Sequence, residues 1–383
     1  MPTRRAFGAG ERRKALEVFD YYAERDSDPC YEGHFEKEYC AAFVEMMGDG
    51  YADSVATGTA SIYVALAALD LPKSSEVIIS PITDAGSVNA VIMQGHQLVL
   101  ADSKPGSYNM GIDEFAARIT PKTKALVLVH CLGEPTEVDA IVEFAHARGI
   151  KVLEDCSQAH GARWKGKPVG SFGDVAAFST MFKKAHSTGA SGGVVYTRDL
   201  DLHRMGLAHA DRGKPRWSPE FDDRSPITNL FPALNWNTDE ISCAIGCSSL
   251  GRLGETIRHR LAFIDSLAAR LPTVSRACRP YGHTADFSPF IYPIFVDQGQ
   301  IDGTKKEFAE AVRAEGIDLN PHYGFTLSDW PWLRPYLSDD FSTPNARDAR
   351  DRSFCLYLNE RYTEREVDDT LMAIAKVERW MSR

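Results

Sequence analysis

An acid, an amide and an amine stand at fixed intervals in the middle of this chain. The run Glu154-Asp155-Cys156-Ser157-Gln158-Ala159-His160-Gly161-Ala162 is followed by Ser179, Lys184 and Gly192-Gly193. A carboxylate such as Asp155 at the end of a buried strand is costly unless it is paired. Set against a pyridine nitrogen, it keeps that nitrogen protonated, so the ring can draw electrons from a developing carbanion. Gln158 can donate to a ring oxygen. Lys184, among glycine and hydroxyl residues just after a buried strand, can be partly desolvated, which frees its amine to bond an aldehyde. Lys183 beside it is the competing amine. Gly58-Thr59-Ala60 at a helix start offers backbone N–H groups to a phosphate, and Ser179 adds a hydroxyl. Each piece also has a plain use: Asp155 as a helix cap, Gln158 as its capping-box partner, Gly-Thr-Ala as an ordinary helix start. Together they ask for one cofactor, pyridoxal phosphate (PLP), with Lys184 and Asp155 as the catalytic pair.

Further candidates surround this set. Asn235, in Asn235-Trp236-Asn237-Thr238-Asp239-Glu240, reads either as a phosphate contact or as part of a helix cap. Arg212, with Lys214 and Arg216, could grip an anionic substrate group. His186, His322 and Tyr323 are candidate substrate contacts, His186 serving equally well as packing. His130, Cys131, Cys156 and His160 match no usual zinc spacing, so no metal is expected. Gly8-Ala9-Gly10 lacks a third glycine and follows no strand, which argues against a dinucleotide-binding oxidoreductase.

Bulk properties narrow the class. The 383 residues are 44% hydrophobic and 25% charged, enough for a large core and for two domains, placed at 1–250 and 251–383. The net charge of −10 argues against a nucleic-acid or anionic-membrane surface. No apolar run reaches the ~20 residues of a membrane span. The basic start Met1-Pro2-Thr3-Arg4-Arg5 has no apolar stretch behind it, so no signal peptide is expected. Eight cysteines without a CxxC pair read as reduced thiols, hence a cytoplasmic protein.

The elements must bring the chemistry together. Periodicity predicts helices over 11–25, 35–47, 61–69, 86–94 and 138–148. Short apolar or β-branched runs predict strands at 76–80, 97–101, 125–129, 151–154, 175–179 and 193–197. Residues 211–230 read as a long loop, with helices beginning near Glu240 and Glu255. Beyond them come a strand at 290–296 and helices at 305–314 and 364–380. Alternating strands and helices with continuous apolar strands give an α/β fold: a mostly parallel sheet flanked by helices, plus a smaller α/β C-terminal domain. Ligands of such sheets sit beyond the carboxyl ends of strands, where both Asp155 and Ser179 fall.

In this order, the motifs resemble the DegT/StrS family of PLP-dependent aminotransferases, many of which act on keto-sugars. The likeness covers about residues 30–380 and is densest over 54–197: A-T-G-T-A, I-T-P-K-T-K-A, E-D-x-x-Q-A-H-G-A, W-K-G-K-P-V-G-S-F-G-D and F-S-x-x-x-x-K. It implies a fold type I transferase with a seven-stranded-type sheet. Asp155 then matches the pyridinium partner, Gln158 the residue beside the ring oxygen, Ser179 a phosphate contact and Lys184 the aldimine lysine. Asn235 matches an asparagine that reaches the phosphate of a neighbouring subunit, so the resemblance implies a homodimer with shared sites. The implied reaction is ping-pong transfer of an amino group, from glutamate or glutamine, to a sugar, sugar nucleotide or cyclitol. Two alternatives are a PLP-dependent sugar dehydratase, which in some relatives has histidine in place of the lysine, and a non-catalytic PLP-binding regulator. The sequence departs from the family at Thr188-Gly189-Ala190-Ser191-Gly192-Gly193, where T-G-E-G-G is common. It departs again at Ile82-Thr83-Asp84-Ala85, where an aromatic residue commonly stacks on the ring.

Overall fold

The computed structural model describes residues 1–382. Seven strands make the main sheet: β1 (Tyr51–Val55), β2 (Glu76–Ile79), β3 (Gln97–Leu100), β4 (Thr123–Val129), β5 (Lys151–Asp155), β8 (Val175–Ser179) and β9 (Gly193–Thr197). A small hairpin, β6 (Arg163–Trp164) and β7 (Lys167–Pro168), interrupts the series. The order across the sheet is β1-β9-β8-β5-β4-β2-β3. Only β9 runs against the other strands of this sheet. Val77–Ile79, Ala125–Val129 and Val152–Asp155 are buried throughout, because helices cover both faces.

Those helices are α1 (Ala9–Glu24), α2 (His34–Met47), α3 (Gly58–Ala68), α4 (Ala85–Met93), α5 (Ile112–Ala116), α6 (Val138–His146), α7 (Leu200–Ala210) and α8 (Glu240–Gly251). α3 is apolar on nearly every side and lies packed against β8, β9, α4 and α7. Its Val64 and Leu66 are essentially inaccessible, each stabilising the fold by about 1.5–3 kcal/mol. Thr57 caps α3, its hydroxyl accepting from Ala60 N–H at 2.8 Å.

The chain then enters α9 (Leu253–Val274) and an antiparallel sheet ordered β10 (Cys278–Pro280), β11 (Ile291–Val296), β13 (Ser353–Tyr357), β12 (Leu319–Asn320). α10 (Lys305–Ala314), α11 (Pro344–Asp351) and α12 (Glu364–Met381) accompany it. Capping boxes Thr304/Glu307 and Thr363/Glu366 start α10 and α12. One hydrophobic cluster runs from Val55 and Ile79 through Phe263 and Tyr292 to Met381, so the two sheets share a core. The first residues strap across this junction. Asn359 and Arg361 donate to the Pro2 and Thr3 carbonyls, and Arg4 bonds both Glu360 and the Phe182 carbonyl.

Sequence periodicity left four elements around the main sheet undetected: β1, α5, α7 and the β6–β7 hairpin. β1 (Tyr-Ala-Asp-Ser-Val) carries no β-branched run, and Asp53 becomes buried only through tertiary packing. The 211–230 region is a loop, with one short 3-10 turn at Pro226–Thr228.

Candidate active site

Five chain segments meet beyond the carboxyl edge of the main sheet, around a cavity of about 390 Å³. That size suits a small ligand. β1 delivers the N-terminus of α3, with Gly58 and Thr59. β2 delivers Thr83, Asp84 and Ser87 at the start of α4. β5 ends on Asp155, with Ser157 and Gln158 beyond it, and β8 ends on Ser179 and leads to Lys183 and Lys184. The antiparallel sheet and its loops add Phe290, Tyr323, Phe325 and Tyr357.

Alternation along β5 decides which acid faces the cavity. Glu154 turns away and is fully buried. Its oxygens accept from the N–H groups of Gly170 (2.7 Å), Phe172 (2.8 Å) and Gly173 (2.7 Å), and one meets His130 Nε2 at 3.0 Å. Burial pushes this carboxyl up, but His130 and the backbone donors outweigh it and hold the acid below its usual range. His130, Glu154 and Cys156 lie within 4.8 Å of one another, yet Glu154 is already saturated by these donors. It is a structural hub that pins the end of β5.

Asp155 turns the other way. Its Oδ2 accepts from Ser87 Oγ at 2.7 Å and its Oδ1 from Ser157 N–H at 3.0 Å. Both donors are neutral, and among the described residues no cation forms an ion pair with this nearly inaccessible carboxylate. Thr83 Oγ1 lies 2.8 Å from Ser87 Oγ and fixes that hydroxyl.

Lys184 sits in the 180–192 loop between β8 and β9. The loop is closed by Thr180 and Thr188, whose hydroxyls are 2.7 Å apart. Lys184 is half-buried whereas Lys183 is exposed. Its Nζ lies 4.5 Å from the Phe290 ring centroid. Burial lowers the pKa of this amine, while Asp155 and Asp84 pull it back up.

Gly58 is a glycine because of close approach. A Cβ there would fall 2.3 Å from Ser179 Cβ and 2.5 Å from its Oγ. Bare backbone lets the first turn of α3 close on Ser179, which makes a ready-made anion cradle. Ala60 N–H is taken by Thr57, leaving the N–H groups nearer the helix start for a ligand. Gln158 accepts from Leu132 N–H at 2.7 Å and donates to Tyr323 Oη at 3.4 Å.

The structure therefore brings Gly58, Thr59, Asp155, Gln158, Ser179, Lys184 and Tyr323 to one cavity. It does not bring the other candidates there. His186 is buried in the core, hydrogen-bonded to Tyr39 Oη at 2.6 Å and Ser249 Oγ at 3.2 Å. Burial drives its pKa to about 3, so it is a neutral packing group rather than a substrate contact of this cavity. Arg212 is paired with Asp211 at 2.7 Å, and His322 sits 3.4 Å from Lys305 Nζ. Asn235 bonds Tyr31 Oη at 3.1 Å on the surface of its own chain. Sequence reasoning assigned no role to Ser87, Phe290, Phe325 or Tyr357. A hydroxyl in the first turn after a buried strand was the one available hint, for Ser87. The three aromatics reach the cavity only through the packing of the antiparallel sheet against the main one.

The DegT/DnrJ/EryC1/StrS aminotransferase family pattern matches residues 19–375. The chain belongs to this family. It is 30% identical over 353 residues to a GDP-perosamine synthase of Caulobacter vibrioides, covering 90% of each chain. With a GDP-perosamine synthase of Escherichia coli O157:H7 it shares 32% identity over 234 residues, covering 61% of this chain and 62% of that protein. The aminotransferase of Psychrobacter cryohalolentis superposes with a TM-score of 0.89 at 25% identity, covering 99% of both chains. The protein is thus a PLP-dependent aminotransferase with the fold type I architecture. Its residues fit the cofactor: an acid with neutral donors for a pyridinium, an amine whose charge is disfavoured by burial, and a glycine-lined cradle for a phosphate.

Proposed function

We propose that this aminotransferase moves an amino group from an amino acid, glutamate or glutamine, to a keto or aldehyde carbon of a sugar, sugar nucleotide or cyclitol in a ping-pong cycle. The observation that carries the reading is the shared cavity of Lys184 and Asp155, one amine and one buried acid lining the same ligand-sized space. When bound, PLP supplies an electron sink for the α-carbon of the donor. Lys184 would tether the group through its aldehyde, and its burial favours the free amine that could move a proton at the donor α-carbon. Asp155 would keep a proton on the ring nitrogen, and Gln158 would donate to the ring oxygen. The N–H groups of Gly58 and Thr59 and the Ser179 hydroxyl would hold the phosphate. Phe290, Tyr323 and Phe325 keep water from this side of the cavity.

The acceptor class is supported by the names of the two relatives, both GDP-perosamine synthases. We also read the enzyme as a cytoplasmic homodimer. Asn235 lies outside the cavity of its own chain, where it can serve a partner's phosphate site. Near it in the chain Ile227, Leu230 and Leu234 are 90%, 51% and 54% exposed, an apolar surface suited to a second copy.

Purified protein with PLP should be coloured, should lose that colour with glutamate or glutamine, and should place nitrogen on a nucleotide-linked keto-sugar, read by mass. Lys184→Ala should abolish both colour and turnover. Turnover retained in that variant would sink the role of Lys184, and an acceptor that loses water without gaining nitrogen would establish elimination instead.

A further inference from the structure

Two guanidinium groups converge on one acid close to the Lys184 loop. Glu360, between β13 and α12, accepts from Arg4 Nε at 3.1 Å and from Arg260 Nη2 at 3.3 Å. Each cation then reaches on to a backbone carbonyl. Arg4 Nη1 donates to the Phe182 carbonyl. Arg260 Nη1 donates to the Pro289 carbonyl at 2.9 Å. Both carbonyls belong to segments that line the cavity. Phe182 sits inside the turn that Lys184 N–H closes on the Met181 carbonyl at 2.9 Å. Pro289 directly precedes Phe290, whose ring centroid is 4.5 Å from Lys184 Nζ. Among the described residues, the Arg4 bond is the one hydrogen bond that reaches residues 181–185 from another segment.

The backbone around Arg4 is itself tied down. Asn359 and Arg361 donate to the Pro2 and Thr3 carbonyls at 2.8 and 2.7 Å, and Arg252 to the Ala6 carbonyl at 2.5 Å. Arg260 is fully buried, and burial lowers its pKa to about 10. Neither guanidinium is fully satisfied: Arg4 Nη2 and Arg260 Nε have no hydrogen-bond partner among the described residues. A buried ion pair with unmet donors is a poor source of stability. What this one fixes is position.

We propose that Arg4, Glu360 and Arg260 are positioning residues for Lys184: one carboxylate holds two guanidiniums, of which one fixes the turn carrying Lys184 and the other the segment carrying Phe290. The amine and the ring beside it are thereby set from a single acid. The consequence for the reaction rests on Lys184 being the cofactor lysine; the hold on its loop does not.

Arg4→Met removes the donors, keeps an apolar stem and leaves the Arg260–Glu360 pair in place. In protein stripped of PLP, amide hydrogen exchange over 181–184, read by peptide mass, should quicken by about tenfold, the scale of one hydrogen bond to a charged group. Exchange over 289–291 should stay as in the wild type. Glu360→Gln should quicken both segments. With PLP bound, Arg4→Met should slow single-turnover conversion by glutamate or glutamine by about tenfold, through loss of alignment. Affinity for PLP and half-saturation by the donor should stay within about twofold, since the residues of the phosphate cradle are untouched. Wild-type exchange over 181–184 in Arg4→Met would overturn the proposal. So would a rise spread evenly over the whole chain, or a loss of PLP affinity as large as the loss of rate. Arg4→Met decides the matter even if Glu360→Gln fails to fold. Wild-type protein that stays colourless with PLP would defeat the cofactor reading alone, because the exchange measurement still decides whether Arg4 holds the Lys184 turn.

Discussion

Gly58→Ala tests the cradle most directly, because the structure fixes the size of the clash. The added methyl would lie 2.3 Å from Ser179 Cβ and 3.0 Å from its Cα. Carbon atoms in contact prefer about 3.5–4.0 Å, so α3 and β8 must part by roughly 1 Å. No rotation of Ser179 relieves this, since its Cβ is fixed to the strand. Overpacking of this kind costs about 1–3 kcal/mol. Helix start and strand end both face the cavity, and the strain is greatest when they must close on a phosphate. PLP affinity should then fall by about ten- to hundredfold, at roughly 1.4 kcal/mol per tenfold. The assay is equilibrium titration of cofactor-free protein followed by absorbance, with thermal unfolding run in parallel. In a double-mutant cycle, adding Ser179→Gly removes the closest contacts, so Gly58→Ala should cost less on that background than on the wild type. Wild-type affinity and stability in Gly58→Ala would refute the reasoning that the cradle depends on a missing side chain.

Three further outcomes are expected. Glu154→Gln puts an amide where three backbone N–H groups and His130 donate, so it should lower unfolding free energy in urea by about 3–5 kcal/mol at neutral pH. Because the folded pKa of Glu154 is depressed, its stabilisation is full above about 4.5 and lost as pH falls through the folded value; the variant should therefore show a flatter acid limb. His160 and His186 are buried and neutral, with folded pKa values driven down by burial, to about 3 for His186. Their contribution is present above the unfolded value near 6.5 and is lost as pH falls through each folded value. Each should steepen the decline by up to about 1.4 kcal/mol per pH unit, and a urea series in which His186→Asn has the wild-type slope would count against this account. Ser87→Ala removes one of the two donors to Asp155 and should destabilise cofactor-free protein by about 1–3 kcal/mol, with a smaller loss once PLP is bound.

The cofactor class was readable in the sequence because its requirements are local. Asp155 and Gln158 lie three residues apart, and Lys184 follows five residues after Ser179, in segments whose apolar runs mark them as buried strands. Such strands need a parallel sheet with helices on both faces, and that arrangement alone puts Asp155 and Ser179 at the carboxyl edge. Strand alternation likewise implies that Glu154 and Asp155 face opposite ways, although only the structure shows Glu154 spent on the Gly170–Gly173 turn.

What tertiary structure decided is whatever depends on residues far apart in the chain. His186 stands two residues beyond Lys184, yet the loop turns it inward to Tyr39 and Ser249. Ser87 becomes the partner of Asp155 across 68 positions, and the aromatics lining the cavity arrive from beside the antiparallel sheet. Gly58 is indispensable only because Ser179 comes within a methyl's reach, and no spacing in the sequence encodes that contact. Local residue type set the chemistry on offer; packing between distant segments set which groups meet, which charges stay unpaired and how tightly the cavity closes.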